Sequence, residues 1–464
     1  MEIKLYNTLT RKIQEFKPIK PGLVGIYSCG PTVYWNQHIG HMYAYTQWDV
    51  LVRFLRWEGY RVKWVMNITD VGHLTSDQDT GEDKMEKGAE REGLTVWQIA
   101  EKYIAQFLES LDLLNISRPD VLCRATEHIP QQIDLIKKIE ARGFTYRTKI
   151  GLVFDTSKFP GYPKFARLNL KKQLPGARLE VDPEKKSPWD FYLWIYGRPE
   201  HIMQWDSPWG RGFPGWHIEC TAMSTYYLGS QFDIHTGGKD HIPIHHTNEI
   251  AQGYGAFGRQ TANFWLHNGM LELKGEKMSK SLGNVYTIQD LVSKGFNPLA
   301  FRYLILNSSY RQGLVFDWES LRAAAEAYNR LVNLVKEWNE EKEEAKEESK
   351  LAKKFADKFA DAFSDDLNAP KALAVVWRMV KSKLSPAEKL NLILDWDRVF
   401  GFRLAARAKK KTVISKEIKK LIEEREKLRR QEKWDEADKI RQKIEKLGWK
   451  IEDTQKGPKL RPKV

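Results

Sequence analysis

The sequence predicts an α/β protein in which a parallel sheet is split by an insertion and followed by helices and a small basic C-terminal segment. Two short apolar runs at residues 24–27 and 62–67 flank an amphipathic stretch at 42–57. Strand, helix and strand in this order form a βαβ unit, which requires a parallel sheet with its ligand site at the carboxyl ends of the strands. Helical periodicity dominates from residue 323 onward.

The stretch at 156–188 is rich in Pro, Lys and Gly and lacks periodicity, so it is predicted to interrupt the sheet. Before it we predict helices at 96–114 and 127–142 and a hairpin at 144–155. After it the sheet resumes with a helix at 218–227, a strand at 232–235 and a helix at 245–255. The C-terminal patterns predict helices at 416–432 and 435–446 and a short strand at 449–451.

A chain of 464 residues is too long for one hydrophobic core, so several domains are expected. The patterns divide it into six predicted segments. These are the first half of a Rossmann-type domain at 1–114, a connective insertion at 115–205, the second half of that domain at 206–262, a linker domain at 263–321, a helical bundle at 322–405 and a basic C-terminal domain at 406–464.

The composition excludes several classes of protein. Three cysteines are too few for a disulfide framework. The sequence contains no run of about 18 apolar residues, so no membrane span is predicted. The N-terminus lacks a signal-peptide core, so a cytoplasmic location is expected. The sequence holds neither a Walker A loop nor a dinucleotide-binding glycine fingerprint, which argues against P-loop and NAD enzymes.

Positive charge is concentrated at the C-terminal end. The chain carries a formal net charge of +14, and residues 407–464 hold 21 Lys and Arg against 11 Asp and Glu. Such a basic tail favours a polyanionic partner, and a nucleic acid is the first expectation. A solvated charged helix without a ligand is the alternative.

Two short strings predict an ATP site that is closed from two sides. The string His38-Ile39-Gly40-His41 lies at the start of the first helix, where backbone N–H groups and the helix dipole favour phosphate. Gly40 would allow a nucleotide to approach the backbone, and both histidines can donate to phosphate oxygens. The string at 277–281 includes Lys277 and Lys280, which would neutralise charge as a phosphate bond breaks.

Cysteine, histidine and glutamate residues suggest a zinc site. His245 and Glu249 are four residues apart on a predicted helix and so share one face. Cys29 and Cys220 would complete a set of two thiolates, an imidazole and a carboxylate. The spacing alone is a weak signal, since the two cysteines could also be buried apolar residues, and His241 and His246 compete with His245. Cys123 is predicted to be structural.

Taken together, the motifs resemble those of the cysteinyl-tRNA synthetase family, which belongs to the class I aminoacyl-tRNA synthetases, along essentially the full chain. No single motif would be specific, but their combination is. The matching stretches are residues 5–10, 27–34, 38–41, 67–70, 215–220, 237–240, 245–249 and 277–281.

The resemblance implies a role for each matching residue. It implies that Cys29, Cys220, His245 and Glu249 bind zinc, and so selects His245 over its neighbours. Substrate contacts are implied for Thr69, Trp216 and His217, with Gly238 and Asp240 near the ATP ribose or the substrate amine. Lys280 matches an ATP-binding lysine. We expect His38, His41, Lys277 and Lys280 to stabilise charge during catalysis.

The chemistry implied by the resemblance has two steps. ATP, with Mg²⁺, activates L-cysteine as cysteinyl-adenylate, and the cysteinyl group then passes to tRNA(Cys). Zinc prefers a soft thiolate, so serine and alanine would lose a whole coordinate bond, whereas an apolar pocket distinguishes such substrates by only about 10–200-fold. The insertion is too short for a large editing module. A monomer without membrane association is expected.

Two departures from the family pattern and two rival functions remain. Residues 71–81 interrupt a motif that is usually continuous, and the role of this loop is open. Thr247 and Ile244 replace a frequent glutamate and phenylalanine.

One rival function is that of a ligase that passes cysteine to an amino sugar, as mycothiol ligases do. The other is that of an RNA-binding protein with a structural zinc.

Overall fold

The computed structural model describes residues 2–72, 83–168, 182–275, 285–341, 349–409, 416–447, 449–454 and 457–462. Most of the loop at 71–83, the lysine string at 277–281 and part of the charged stretch at 337–354 lie outside the described residues. The six-segment division of the chain stays a prediction.

Strands and helices alternate in the first half of the chain, and helices dominate the second half. The strands are β1 (Lys4–Asn7), β2 (Lys12–Glu15), β3 (Leu23–Ser28), β4 (Arg61–Ile68), β5 (Val121–Arg124), β6 (Thr145–Arg147), β7 (Gly151–Phe154), β8 (Phe191–Ile195), β9 (Phe213–Pro214), β10 (Phe232–Gly238), β11 (Ala262–Asn268), β12 (Leu271–Leu273), β13 (Leu314–Phe316), β14 (Trp449–Thr454) and β15 (Gly457–Pro462). The α-helices are α1 (Ile39–Trp57), α2 (Lys84–Glu92), α3 (Val96–Leu113), α4 (Ile129–Ala141), α5 (Trp216–Leu228), α6 (His245–Phe257), α7 (Ile288–Ser293), α8 (Pro298–Leu306), α9 (Trp318–Glu341), α10 (Lys350–Ser364), α11 (Ala369–Val380), α12 (Pro386–Phe400), α13 (Leu404–Lys409), α14 (Lys416–Arg430) and α15 (Trp434–Lys446).

The central sheet is parallel and has the spatial order β11-β10-β3-β4-β5, which confirms the predicted α/β fold. The chain runs outward from β3 to β5 and then returns to the other side of β3 through β10. The direction of winding therefore reverses between β3 and β10, where Ile26 pairs with Ile234 and Ser28 with Thr236. In doubly wound sheets a ligand crevice opens at the strand ends beside this reversal.

Helix α1 links β3 to β4 and packs one face into the core. Trp48, Leu51, Phe54 and Leu55 are buried, in agreement with the helical spacing of the apolar residues. The helix begins three residues earlier than predicted because His38 acts as its N-cap. This shift places the histidine string on the first turn of the helix.

Strands β6, β7, β8 and β9 form a separate antiparallel sheet in that order. Strands β6 and β7 confirm the hairpin predicted at 144–155, and Thr145 pairs with Phe154. The chain returns from β9 through Gly215 into α5, which places Cys220 next to the central sheet.

After β13, the described elements up to residue 446 are the helices α9–α15. Among the described residues, one continuous hydrophobic core joins α1 to helices α8–α13. Helices α14 and α15 and the β14–β15 hairpin share a separate small core around Ile440, Ile444 and Ile451. The sequence predicted the first strand of this hairpin but missed its partner β15. Among the described helices, none is long and apolar enough to cross a membrane.

Candidate active site

A cavity of about 360 Å³ opens at the point where the winding of the sheet reverses. Cys29 and Gly30, which follow β3, line one side, and Gly237 and Gly238 at the end of β10 line the other. The turn after β3 needs glycine because a Cβ at position 30 would lie 1.7 Å from the carbonyl oxygen of Asn67. This close packing brings the backbone of both strand ends to the cavity wall.

The first turn of α1 forms another wall, and its two histidines cap the helix. The Nδ1 of His38 accepts from the N–H groups of Gly40 at 3.1 Å and His41 at 3.4 Å, and the two imidazole rings stack at 3.6 Å. The N–H of Ile39 donates to the carbonyl oxygen of Tyr286. The sequence predicts that backbone N–H groups at this helix start favour phosphate, but the N–H groups of Ile39, Gly40 and His41 already have protein acceptors. The dipole of the helix still favours an anion at this end of α1.

The segment that carries Lys277 and Lys280 connects two ends that both lie beside this wall. Before it, Leu271 lines the cavity. After it, Tyr286 accepts from the Ile39 N–H at 2.8 Å, and Thr287 forms a β-bridge with His38. Lys277 and Lys280 themselves lie outside the described residues.

At the cavity floor the structure brings together the four predicted metal ligands. One ligand atom from each of Cys29, Cys220, His245 and Glu249 lies within 4.8 Å of the others, and all four side chains are buried. The Nε2 of His245 is 3.2 Å from Glu249 Oε1, an oxygen that has no hydrogen-bond partner. A buried carboxylate oxygen without a donor beside two thiols is a set of atoms that suits a divalent cation.

A second set of possible ligands shares two of these residues. Cys29 and Glu249 also lie within 4.8 Å of ligand atoms from His235 and His246. His246 Nε2 is 3.3 Å from Cys29 Sγ, and its Nδ1 is 2.7 Å from His267 Nε2. The first set is favoured for a metal that touches a substrate, because Cys29, Cys220 and His245 line the cavity, whereas His235 and His246 do not.

Burial controls the protonation of these side chains. It raises the pKa of the Cys29 thiol well above its usual value, and hydrogen bonding to Cys220 and the charge of Glu249 act in the same direction. Burial also lowers the pKa values of His246 and His267, which favours their neutral forms. A bound cation would reverse this preference at the thiols, since metal ligation requires thiolates.

The site and the fold have counterparts among known proteins. The model of a family described as the class I (C) tRNA synthetase catalytic domain matches residues 15–326. The chain is 45% identical over 463 residues to cysteine–tRNA ligase 1 of Burkholderia lata, with 99% of this chain and 97% of that protein covered. It is 44% identical over 482 residues to cysteine–tRNA ligase of Treponema denticola, with 98% of each covered.

The chain belongs to the cysteine–tRNA ligase family.

The cysteine–tRNA ligase family of class I synthetases also accounts for the architecture. The fold is similar to that of Mycobacterium tuberculosis methionyl-tRNA synthetase in complex with methionyl-adenylate, with a TM-score of 0.61 and 17% identity. That alignment covers 83% of this chain and 93% of the other chain. At such low identity it shows the fold alone.

Most of the substrate-binding residues that the family resemblance implied lie at the cavity. Thr69, Trp216, Gly238 and Asp240 line it, and the Trp216 ring stacks on His245 with a centroid distance of 4.8 Å. His217 is the exception. It is fully buried beneath the floor, and its Nδ1 is 2.9 Å from His245 Nδ1, so it contacts a predicted ligand rather than lining the cavity.

Sequence reasoning missed several buried polar residues around the site. His235 Nε2 lies 2.9 Å from Glu249 Oε2, and the ring of His267 connects His246 to the hydroxyl of Thr8, which is 2.8 Å from His267 Nδ1. Asn67 and Glu219 both contact the Thr69 hydroxyl. In the sequence, each of these residues is recognisable only as a polar residue within an otherwise apolar element. Such a pattern does not show which residue it contacts.

Proposed function

We propose that this protein is a cysteine–tRNA ligase that activates L-cysteine with ATP and transfers it to tRNA(Cys). The observation that carries the proposal is the juxtaposition of two sites in one cavity. A cluster of two thiols, an imidazole and a carboxylate lies at its floor, and the histidine pair of α1 lies at its wall. The chain also matches its curated relatives over 98–99% of its own length.

The floor of the cavity is proposed to recognise the thiol. Cys29, Cys220, His245 and Glu249 fit a zinc ion by ligand chemistry and by the orphaned oxygen of Glu249. When bound, the ion would supply a coordinate bond to the substrate sulfur and lower its pKa. Serine and alanine lack a thiolate that could bind zinc, so the enzyme would select cysteine over both without an editing module.

The wall of the cavity is proposed to hold ATP. His38 and His41, with Gly40 between them, would contact the phosphates, while Gly238 at the end of β10 and Asp240 just after it would contact the ribose or the substrate amine. Lys277 and Lys280 are proposed to approach from the segment whose ends flank this wall. The work of these groups is positioning and charge stabilisation, so the first step needs no general base from the protein.

Transfer to tRNA is favoured over transfer to an amino sugar. The helical region and the basic C-terminal segment provide a large surface beyond the catalytic sheet, and the curated relatives align with that region as well. A ligase acting on a small amino sugar would have no use for this surface. A cytoplasmic monomer that uses Mg²⁺ with ATP is part of the proposal.

Exchange of labelled pyrophosphate into ATP tests the activation step. The full chain should catalyse exchange that depends on cysteine and is lost after removal of metal by a chelator, then restored by zinc. Serine and alanine should support no exchange above background. Absence of cysteine-dependent exchange in folded, zinc-loaded protein would reject the function and would favour a non-enzymatic RNA-binding protein.

A further inference from the structure

A chain of three hydrogen bonds runs along the cavity wall and ends on a buried carboxylate. The backbone N–H of Gly30 donates to Asn67 Oδ1 at 2.8 Å, Asn67 Nδ2 donates to Thr69 Oγ1 at 3.1 Å, and Thr69 Oγ1 donates to Glu219 Oε2 at 2.9 Å. Asn67, Thr69 and Glu219 are all at most 2% exposed. We call this the Gly30–Glu219 relay.

The direction of the relay is fixed by its first member. A backbone N–H can only donate, so the atom of Asn67 that faces Gly30 must be the amide oxygen. The amide nitrogen of Asn67 then faces Thr69 and must donate to it. The single hydrogen of the Thr69 hydroxyl is thereby left for Glu219, which accepts it.

The relay leaves Thr69 with one function in the cavity. Its hydroxyl oxygen has one lone pair engaged by Asn67 and its hydrogen engaged by Glu219, so the remaining lone pair can only accept. The backbone of Thr69 is also engaged, because its N–H donates to the carbonyl oxygen of Pro31 and its carbonyl oxygen accepts from the Val33 N–H. Thr69 lines the cavity, whereas Glu219 lies behind it.

We propose that Glu219 is a positioning residue that makes the Thr69 hydroxyl an obligatory acceptor for the ammonium group of the amino acid substrate. This inference rests on the proposed function and names how the same site orients its substrate. Of the polar groups of cysteine, the ammonium is a donor, whereas the carboxylate can only accept and would be repelled. The carboxylate is thereby directed away from Thr69 and left for reaction with ATP.

The substitution Glu219→Met tests the inference because it removes the acceptor of the Thr69 hydroxyl hydrogen while keeping a side chain of similar length. Without the carboxylate, the hydroxyl hydrogen can turn into the cavity, where it would oppose an ammonium group. We expect cysteine to bind at least about tenfold more weakly. The inhibition constant of 3-mercaptopropionate, which keeps the thiol and carboxylate but lacks the amine, should change by less than about twofold.

Two further variants separate positioning from a general structural effect. Thr69→Val removes the acceptor and should show the same selective loss of cysteine, and adding Glu219→Met to it should cause little further loss, since the two residues act in series. Thr221→Val is the matched control, because Thr221 is buried on the same helix but does not line the cavity. It should leave both ligands unaffected. All variants are compared at equal zinc content and thermal stability.

The outcomes are distinct. Equal weakening of cysteine and 3-mercaptopropionate in Glu219→Met, or a full additional loss in the Thr69→Val background, would overturn the inference. Unchanged discrimination between the two ligands in Thr69→Val would overturn it even if the Glu219 variant does not fold. Absence of cysteine-dependent pyrophosphate exchange in the wild-type chain would instead contradict the proposed function.

Discussion

At the cavity floor, Cys29 lies within reach of two different nitrogen ligands. Its Sγ is 3.3 Å from His246 Nε2, and it also belongs to the cluster with Cys220 and His245. The choice between these sets depends on which side chains face the substrate, and the cavity lining favours His245. Sequence spacing left this choice open. His245 and His246 are neighbours on one helix and point in different directions, and the sequence does not show which direction faces the cavity.

The substitution Cys29→Ser should remove nearly all bound zinc, because a hydroxyl is a poor replacement for a thiolate ligand. Metal analysis of the purified protein measures this directly. Cys123→Ser is the matched control: Cys123 is also buried, but its Sγ contacts the carbonyl oxygen of Met66 and it belongs to neither ligand set. Retention of zinc by the Cys29 variant, or its loss from the Cys123 variant, would reject the ligand set.

Asp70, next to Thr69 in the cavity wall, is predicted to make stability depend on pH. Burial raises the pKa of this carboxyl from 3.8 to about 6, despite hydrogen bonds from Thr126 that act in the opposite direction. Because the folded-state pKa is the higher one, the unfolded chain releases this proton first as the pH rises. The contribution of Asp70 to the free energy of unfolding should therefore fall by about 2 kcal/mol between pH 4 and pH 6, and by about 3 kcal/mol over the whole titration.

Urea unfolding of the wild type and of Asp70→Asn at several pH values measures this effect. An amide does not titrate, so the stability of the wild type relative to the variant should decrease across this range. A constant difference between the two proteins from pH 4 to pH 7 would show that the carboxyl does not titrate differently in the folded state.

At the scale of the elements, a buried ion pair connects helix α1 to helix α8. Arg302 donates to Asp49 Oδ2 at 2.5 Å and to the carbonyl oxygens of Phe400 at 2.6 Å and Leu114 at 3.0 Å. Neither Arg302 nor Asp49 is exposed. One side chain thus joins the helix of the histidine pair to the end of α12 in the helical bundle.

Substitution Arg302→Ala should destabilise the protein by about 3–5 kcal/mol, because it leaves a buried carboxylate and two buried carbonyl oxygens without this donor. Arg56→Ala is the control, since the Arg56–Asp120 pair has both side chains more than a third exposed and should contribute at most about 1 kcal/mol. Denaturant unfolding measures both. Equal losses in the two variants would contradict the role assigned to burial.

Elements with strong periodicity were predictable, and contacts between distant polar residues were not. The βαβ unit, the hairpin at β6 and β7 and helices α5 and α6 follow from local patterns. The start of α1 was misplaced because a histidine is an unusual N-cap. Strand β15 was missed because its sequence, which contains two prolines, lacks apolar alternation and is defined by pairing with β14.

The predicted ligand set required the family resemblance as well as the spacing. Cys29, Cys220 and Glu249 come from three separate elements, and only the topology of the sheet brings them together. The Gly30–Glu219 relay had no sequence signal, because its direction follows from hydrogen-bond geometry. The resemblance implied that His217 lines the pocket, but it lies behind His245. A sequence motif does not show whether a residue lines a pocket or packs behind a residue that does.

At the scale of the whole molecule, adenylation and tRNA binding are expected to be separable. The small core of α14, α15 and the β14–β15 hairpin is distinct from the main core, whereas Arg407 bonds to Asn297 and Ala408 packs on the main core. Deletion of residues 410–464 should therefore keep cysteine-dependent pyrophosphate exchange within about twofold. It should weaken tRNA binding at least about tenfold and reduce the dependence of that binding on salt.

Filter binding at several salt concentrations, with the full chain in parallel, measures this separation. Unchanged tRNA affinity in the deleted protein would remove the basic C-terminal segment from the tRNA site. Loss of pyrophosphate exchange would show that the two regions depend on each other.

The most direct test of the central proposal is the charging of tRNA(Cys) with labelled cysteine by the zinc-loaded, full-length protein. We predict ATP-dependent formation of acid-precipitable cysteinyl-tRNA, with no product from labelled serine and none after metal removal. Pyrophosphate exchange without any charging of tRNA, or charging that is equally efficient with serine, would contradict the account.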